Sequence, residues 1–327
     1  MPESTEFKVR LTRRLPTSLA ALEQMASVEV WPERQPPTAD VLQSKLAEVD
    51  GLLCLLTDPI DQELIAAAPR LKVISQMAVG FDNIDVAAAT ARGIPVGNTP
   101  GVLTEATADF TWALMMAAAR RVGEGDRFVR NGQWQTWEPD LLLGLDIAGA
   151  TLGIIGLGRI GQAVAKRAVG FDMQILYTGR HRCDPALEAA LKATYVELAE
   201  LLANADFVSI HTPLTPATQS LIGAAELRQM KSTALLINTA RGAIVEPEAL
   251  YQALISGQIA GAALDVTEPE PISPESPLLQ LDNVTFAPHL GSASRATRKK
   301  MADMAIANLI AGLQGDRLPH CVNPEVY

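Results

Sequence analysis

Residues 151–161 read TLGIIGLGRIG, an apolar run that leads straight into Gly156, Gly158 and Gly161 at G-x-G-x-x-G spacing. Ile160, Ala163, Val164 and Ala168 recur at helical period, and a second apolar run, 174–177, closes the unit. A strand that turns tightly into a helix needs glycine here for three reasons. Gly156 allows the turn, Gly158 lets a pyrophosphate approach the backbone, and Gly161 lets the helix pack close to the strand. The helix start, with its unpaired N–H groups and positive dipole end, favours phosphate charge. That turns the backbone N–H groups of Leu157, Arg159 and Ile160 toward the pyrophosphate. The glycine spacing alone would equally serve an ordinary Gly-rich turn. With a strand before it and a helix and strand after it, the stretch reads as a dinucleotide-binding βαβ unit.

Strands alternate with helices on both sides of this unit, the pattern of parallel α/β sheets. Upstream, Val9–Leu11, Val28–Trp31, Gly51–Leu56 and Val73–Val79 read as strands, with helices at Ala20–Met25 and Val41–Val49 between them. A long helical pattern, Leu103–Arg121, with Thr104 as its cap, carries the chain into a second domain. Residues 122–150 read as irregular and hold Trp134, Trp137 and an apolar patch at Leu141–Leu143. Downstream strands are expected at Asp206–Ile210, Ala234–Asn238, Gly261–Val266 and Val284–Ala287, and a terminal helix at Ser294–Leu313. No strand follows that helix, so it is read as returning to pack on the first domain. The expected fold is α/β: two Rossmann-like or flavodoxin-like parallel-sheet domains with the active site in the cleft between them. Residues 1–102 plus 290–327 would form a discontinuous substrate-binding domain. Residues 103–289 would form the dinucleotide-binding domain, with 122–150 as a dimerisation segment.

Composition narrows the function classes. A chain of 327 residues has room for two cores, and 48% hydrophobic with 20% charged residues is a soluble globular balance. A net charge of −10 without a basic tract argues against nucleic acid as partner. The first residues lack a signal-peptide core, and no stretch reaches the roughly 18 apolar residues of a membrane span, so a cytoplasmic location is expected. Cys54, Cys183 and Cys321 are odd in number and far apart, which suggests neither a disulfide framework nor a zinc site.

Ligands in open α/β sheets sit at the carboxyl ends of strands, and three polar residues fall there. Arg241 follows a strand in INTARG, Glu270 follows one in DVTEPEP, and His289 follows one in FAPHLGSAS. Each alone has a bland reading: a surface ion pair, a solvated loop carboxylate, a loop imidazole. Three at strand ends of one nucleotide-binding sheet is a more demanding coincidence. Imidazole titrates near neutrality and suits a general acid. A forked, permanently charged guanidinium suits a carboxylate beside a carbonyl. Glu268 is the alternative acidic partner. His211, in VSIHTPL, is the other histidine candidate and is read as structural on the cofactor side. Val79 and Gly80, at a strand end before FDN, could form a backbone anion nest or an ordinary turn.

The chain resembles the D-isomer-specific 2-hydroxyacid dehydrogenase family over nearly its whole length. The matching motifs are GLGRIG at 156–161, NTARG at 238–242, DVTEPEP at 265–271 and PHLGSAS at 288–294. LLCLLTDPID at 52–61, MAVGFDNID at 77–85, LYTGR at 176–180 and NGQWQTWEP at 131–139 are similar to the glyoxylate/hydroxypyruvate reductase branch. The resemblance implies reduction of a short 2-keto acid to the 2-hydroxy acid (glyoxylate to glycolate, hydroxypyruvate to D-glycerate), with Arg241, Glu270 and His289 as the catalytic set. Glu270 would orient the ring of His289 and favour its charged form. The resemblance raises the nest reading for Val79 and Gly80, with Leu56 and Ser292 shaping the substrate pocket. It also implies a homodimer in which Trp137 reaches the partner's site; from the residues alone, Trp134 and Trp137 could equally belong to a plain interface. On the cofactor side it points to Thr107, Thr239, Asp265 and Gly291, the middle two at the nicotinamide carboxamide. Thr212 and Pro213, which end a strand, should line the adenosine or ribose side. A D-3-phosphoglycerate dehydrogenase is a sibling reading, against which stands the short chain. A non-catalytic, nucleotide-gated binding protein of the same fold is the reading from another class.

An NAD site normally shows an acidic residue about 20 residues past the glycines, binding the ribose 2′-OH. Here the position is Thr178, and Arg180 and Arg182 follow. Two guanidinium groups without a carboxylate suit a 2′-phosphate, so NADP(H) is favoured over NAD(H), although solvated surface arginines would look the same.

Overall fold

The computed structural model describes residues 7–327; residues 1–6, the start of the expected 1–102 segment, lie outside it. The chain divides into two compact units. One takes the chain up to Leu103 together with Ala293–Tyr327, and the other is Thr104–Ser292.

In the first unit, β1 (Phe7–Leu11), β2 (Ala26–Val30), β3 (Gly51–Cys54), β4 (Val73–Gln76) and β5 (Val96–Gly97) form a parallel sheet of order β2-β1-β3-β4-β5. The central strands β3 and β4 are buried at every position, which is why neither GLLC nor VISQ alternates apolar with polar residues. The C-terminal helix Arg295–Gln314 packs on β3 and β4. Its approach is close: a Cβ at Gly312 would lie 2.4 Å from Val73. Ser294 caps it, its hydroxyl accepting from Thr297 N, and Gly315 ends it in a left-handed turn.

In the second unit, β6 (Thr151–Ile155), β7 (Gln174–Thr178), β8 (Ala193–Tyr195), β9 (Phe207–Ile210), β10 (Leu235–Asn238), β11 (Gly261–Leu264) and β12 (Val284–Phe286) form a parallel sheet. Its order is β12-β11-β10-β9-β6-β7-β8. Strand order reverses at β6, between β9 and β7, so the glycine turn after β6 sits at the topological switch point. Leu152, Ile154, Phe207 and Ile237 are buried against the helices Thr104–Ala119 and Arg159–Ala168.

Two expectations are corrected, and two short strands went unanticipated. Apolar runs outlast their strands: β3 stops at Cys54 rather than Leu56 and β4 at Gln76 rather than Val79, because the residues beyond turn at the sheet edge. The short strands β5 and β8 carry too few residues to show a pattern. The helix Val122–Arg130 occupies part of the stretch read as irregular, after a break at Arg121, whose φ is 52°.

Candidate active site

The glycine turn is built as the spacing requires. Gly156 has φ of +97°, and a Cβ there would lie 2.9 Å from the backbone of His211 and Thr212. A Cβ on Gly161 would lie 2.3 Å from the Gly156 carbonyl oxygen. At Gly158 a Cβ would meet nothing within 4 Å, so the space over that residue is open. No side chain caps the helix Arg159–Ala168, which leaves the N–H groups of its first turn for a ligand. An open backbone face against a helix start fits a pyrophosphate.

Thr212 and Pro213 follow β9 beside this turn. His211 N donates to Ile155 O at 2.8 Å, and its Nε2 shares a 2.8 Å hydrogen bond with Ser209 Oγ. Burial holds the His211 imidazole down to about 4, which makes it a neutral structural group. Thr178 ends β7 and is buried, whereas Arg180 is exposed. Arg182 is engaged: its Nε and Nη2 each donate to Glu188 at 2.8 Å. Tyr177 Oη donates to the same carboxylate at 2.5 Å and accepts from Cys183 N at 2.9 Å. Hydrogen bonds from Arg182 and Tyr177 hold the Glu188 carboxyl down to about 2. Sequence reasoning missed Glu188 because PALEAAL reads only as an ordinary helix.

The other candidates gather where β10, β11 and β12 end, on neighbouring parallel strands. His289 Nδ1 lies 2.5 Å from Glu270 Oε1, so Glu270 faces the imidazole. His289 has a φ of 54°, unusual for a residue with a side chain. Asp265 over-determines that turn. Its backbone O accepts from His289 N at 2.9 Å, and its carboxylate accepts from Leu290 N at 2.6 Å and Gly291 N at 2.8 Å. Burial pushes the Asp265 carboxyl up, against those two N–H groups. Asp265, expected at the nicotinamide carboxamide, is thus engaged through both oxygens in shaping the His289 loop.

Arg241 follows β10, its Nη1 donating to Ala240 O at 2.8 Å. Asn238, a residue the sequence reading passed over, clamps this turn: its Nδ2 donates to Arg241 O at 2.8 Å and its Oδ1 accepts from Ala240 N at 3.0 Å. A buried asparagine at a strand end was the available signal. Thr239 Oγ1 shares a 2.9 Å hydrogen bond with Thr111 Oγ1, and Thr107 lies against Gly291. Ser292 is buried at the end of the same loop. In the first unit, Leu56, Val79 and Gly80 are half-buried beyond the ends of β3 and β4. Trp137 is 78% exposed. Among the described residues no His, Cys, Asp and Glu cluster could hold a metal ion.

Residues 112–291 match the family model for the D-isomer specific 2-hydroxyacid dehydrogenase, NAD binding domain. A glyoxylate reductase of Korarchaeum cryptofilum is 53% identical over 321 residues, 98% of this chain and 96% of its own length. Among solved structures, a protein of Thermus thermophilus superposes with a TM-score of 0.90 at 48% identity, covering 97% of this chain and all of the other. An NADPH-dependent glyoxylate/hydroxypyruvate reductase of Sinorhizobium meliloti, solved with NADP and malonate, gives 0.84 at 32% identity, over 99% of this chain and 98% of that one.

Proposed function

The chain belongs to the D-isomer-specific 2-hydroxyacid dehydrogenase family, and from that premise we propose that it reduces glyoxylate and hydroxypyruvate to the 2-hydroxy acids with NAD(P)H. The observation that carries this reading is the His289–Glu270 pair on the sheet edge that also holds the glycine turn and Arg241.

The turn at Gly156–Gly161 would hold the dinucleotide, which supplies hydride to the carbonyl carbon. Everything else falls to the chain's side chains. Oriented through Nδ1 by Glu270, His289 gives the carbonyl oxygen a proton as the carbon is reduced. The carboxylate fixes the ring orientation. Arg241 grips the substrate carboxylate and polarises the neighbouring carbonyl, charge stabilisation that grows as the oxygen becomes an alkoxide. In the first unit, the N–H groups around Val79 and Gly80 are the backbone candidates for holding a substrate carboxylate.

NADP(H) is the favoured dinucleotide. Thr178 leaves no carboxylate to repel a 2′-phosphate, and the S. meliloti relative is named NADPH-dependent. Because Glu188 neutralises Arg182, Arg180 is the side chain left to meet that phosphate. The protein works as a homodimer through residues 122–150, with Trp137 reaching the partner's site, and the three free cysteines suit the cytoplasm. The test is a matrix of short 2-keto acids against NADPH and NADH, read by absorbance loss. Protein that binds NADPH yet consumes none with either acid would overturn the reading. A kcat/KM with NADH equal to or above that with NADPH would overturn the preference.

A further inference from the structure

Beyond the ends of β3, β4 and β5 lies a group of buried amides that the proposed chemistry leaves unused. Gln76, the last residue of β4, is fully buried, and its Nε2 donates to Gly80 O at 2.9 Å and to Asn83 Oδ1 at 2.5 Å. Its Oε1 accepts from Asn83 Nδ2 at 3.2 Å and from Cys54 Sγ at 3.1 Å, which fixes the direction of the amide. Asn98, just past β5, donates from Nδ2 to Val79 O at 2.8 Å. Thr99 N donates to Ala78 O at 2.9 Å. Three successive carbonyls, those of Ala78, Val79 and Gly80, are therefore each held from the buried side.

A trans peptide is planar, with its N–H directed opposite its C=O. Holding these carbonyls inward turns the N–H groups of Val79, Gly80 and Phe81 outward. None of the three donates to any group among the described residues. A buried amide is costly unless bonded, and here the bonds made are those that aim the backbone. Asn98 is braced in turn. Its O accepts from Asn308 Nδ2 at 2.9 Å, Asn308 being fully buried on the C-terminal helix, and Asn98 N donates to His320 O at 3.2 Å.

We propose that Asn98 and Gln76 are positioning residues for the substrate carboxylate, holding the Ala78–Gly80 carbonyls so that the Val79, Gly80 and Phe81 N–H groups form a preset anion nest. This rests on the reading that a 2-keto acid places its carboxylate at Val79 and Gly80. It adds that the affinity of that contact is set by side chains that never touch the substrate.

The test compares Asn98→Ala, Asn98→Asp and Gln76→Leu with the native enzyme. It reads KM and kcat for glyoxylate, the inhibition constant of oxalate, the Kd of NADPH and Tm. Losing one aiming hydrogen bond raises the glyoxylate KM and the oxalate constant about five- to tenfold, with kcat changed less and NADPH Kd within about twofold. Asn98→Asp, isosteric but without the donor, should be worse than Asn98→Ala. If Asn98→Ala does not fold, Asn98→Ser keeps a shorter donor and should give an intermediate rise. Unchanged KM in folded variants overturns the proposal, as does a parallel loss of NADPH affinity, which marks the amides as merely structural. Gly80→Pro, which deletes one N–H of the nest, separates the two ideas. If it raises KM while the amide variants do not, positioning alone fails. If it too leaves KM unchanged, the carboxylate is held elsewhere.

Discussion

Single residues in the second unit separate fold from chemistry, and the three glycines do so most sharply. At Gly158 an added methyl meets open space, so Gly158→Ala should melt like the native protein while its KM for dinucleotide rises, since the methyl stands where a pyrophosphate must approach. At Gly161 the methyl meets the Gly156 carbonyl at 2.3 Å, so Gly161→Ala should cost about 1–3 kcal/mol in denaturant unfolding. Equal behaviour of the two variants would count against a nucleotide on this turn. His289→Ala should lower kcat by about 10²–10⁴-fold with little change in dinucleotide Kd, and Arg241→Ala should harm both KM and kcat. A His289→Ala enzyme that keeps most of its turnover would remove the proton donor assigned here. Arg241, Glu270 and His289 were legible in sequence because strand ends on one parallel sheet share one edge. Asn238 and Asp265 as loop clamps were not, because a buried amide or carboxylate shows its role only through the N–H groups it meets.

Elements were legible in proportion to how fully they are buried. β3, β4, β10 and β11 are buried at every residue, so their apolar runs stood out, and only their ends were overrun. The helix Val122–Arg130 escaped because it buries none of its residues and carries Gly123 and Gly125, which lower its helix propensity. The connection from β7 to the next helix escaped as well, since the pairing of Arg182 with Glu188 depends on a fold that sequence spacing does not state. That pairing makes a prediction at this scale. Arg180→Ala should raise the KM for NADPH well above its effect on NADH, whereas Arg182→Ala should loosen the connection and affect both dinucleotides alike; the reverse pattern would exchange the two roles. The end of β9 makes another. Folding depresses the His211 imidazole to about 4, so the unfolded chain takes up a proton first as pH falls. Stability tied to His211 is complete above about 6.5 and is lost as pH falls from there toward about 4. Thermal melts across that window should drop less steeply for His211→Asn than for the native protein, and identical slopes would place the acid sensitivity elsewhere.

At the scale of the whole molecule, the sequence's acidic balance and its apolar surface point to different partners. The net charge is −10, and among the described residues no helix is long and apolar enough to cross a membrane. Yet Val122, Val129, Trp134, Trp137 and Leu143 are all more than half exposed within one stretch of the second unit. A hollow of about 940 Å³ in the same unit is lined by Arg121, Arg127, Leu143, Leu145, Asp282 and Phe286. Clustered large apolar side chains beside a mixed-charge hollow are the anatomy of a surface that another protein covers, with aromatic anchors and a polar rim. A second copy of this chain, the partner proposed above, would supply both halves at once, since a two-fold contact pairs each stretch with its own counterpart. Sedimentation at micromolar concentration should therefore give twice the 34.9 kDa chain mass. Val122→Asp combined with Val129→Asp should give the single-chain mass, because a carboxylate in a desolvated contact costs several kcal/mol. Trp137→Ala, at the most exposed of the five, should remain a dimer and raise the glyoxylate KM, because its ring would serve the partner's pocket rather than the contact itself. A native protein that sediments as a monomer would remove the dimer and, with it, the role given to Trp137.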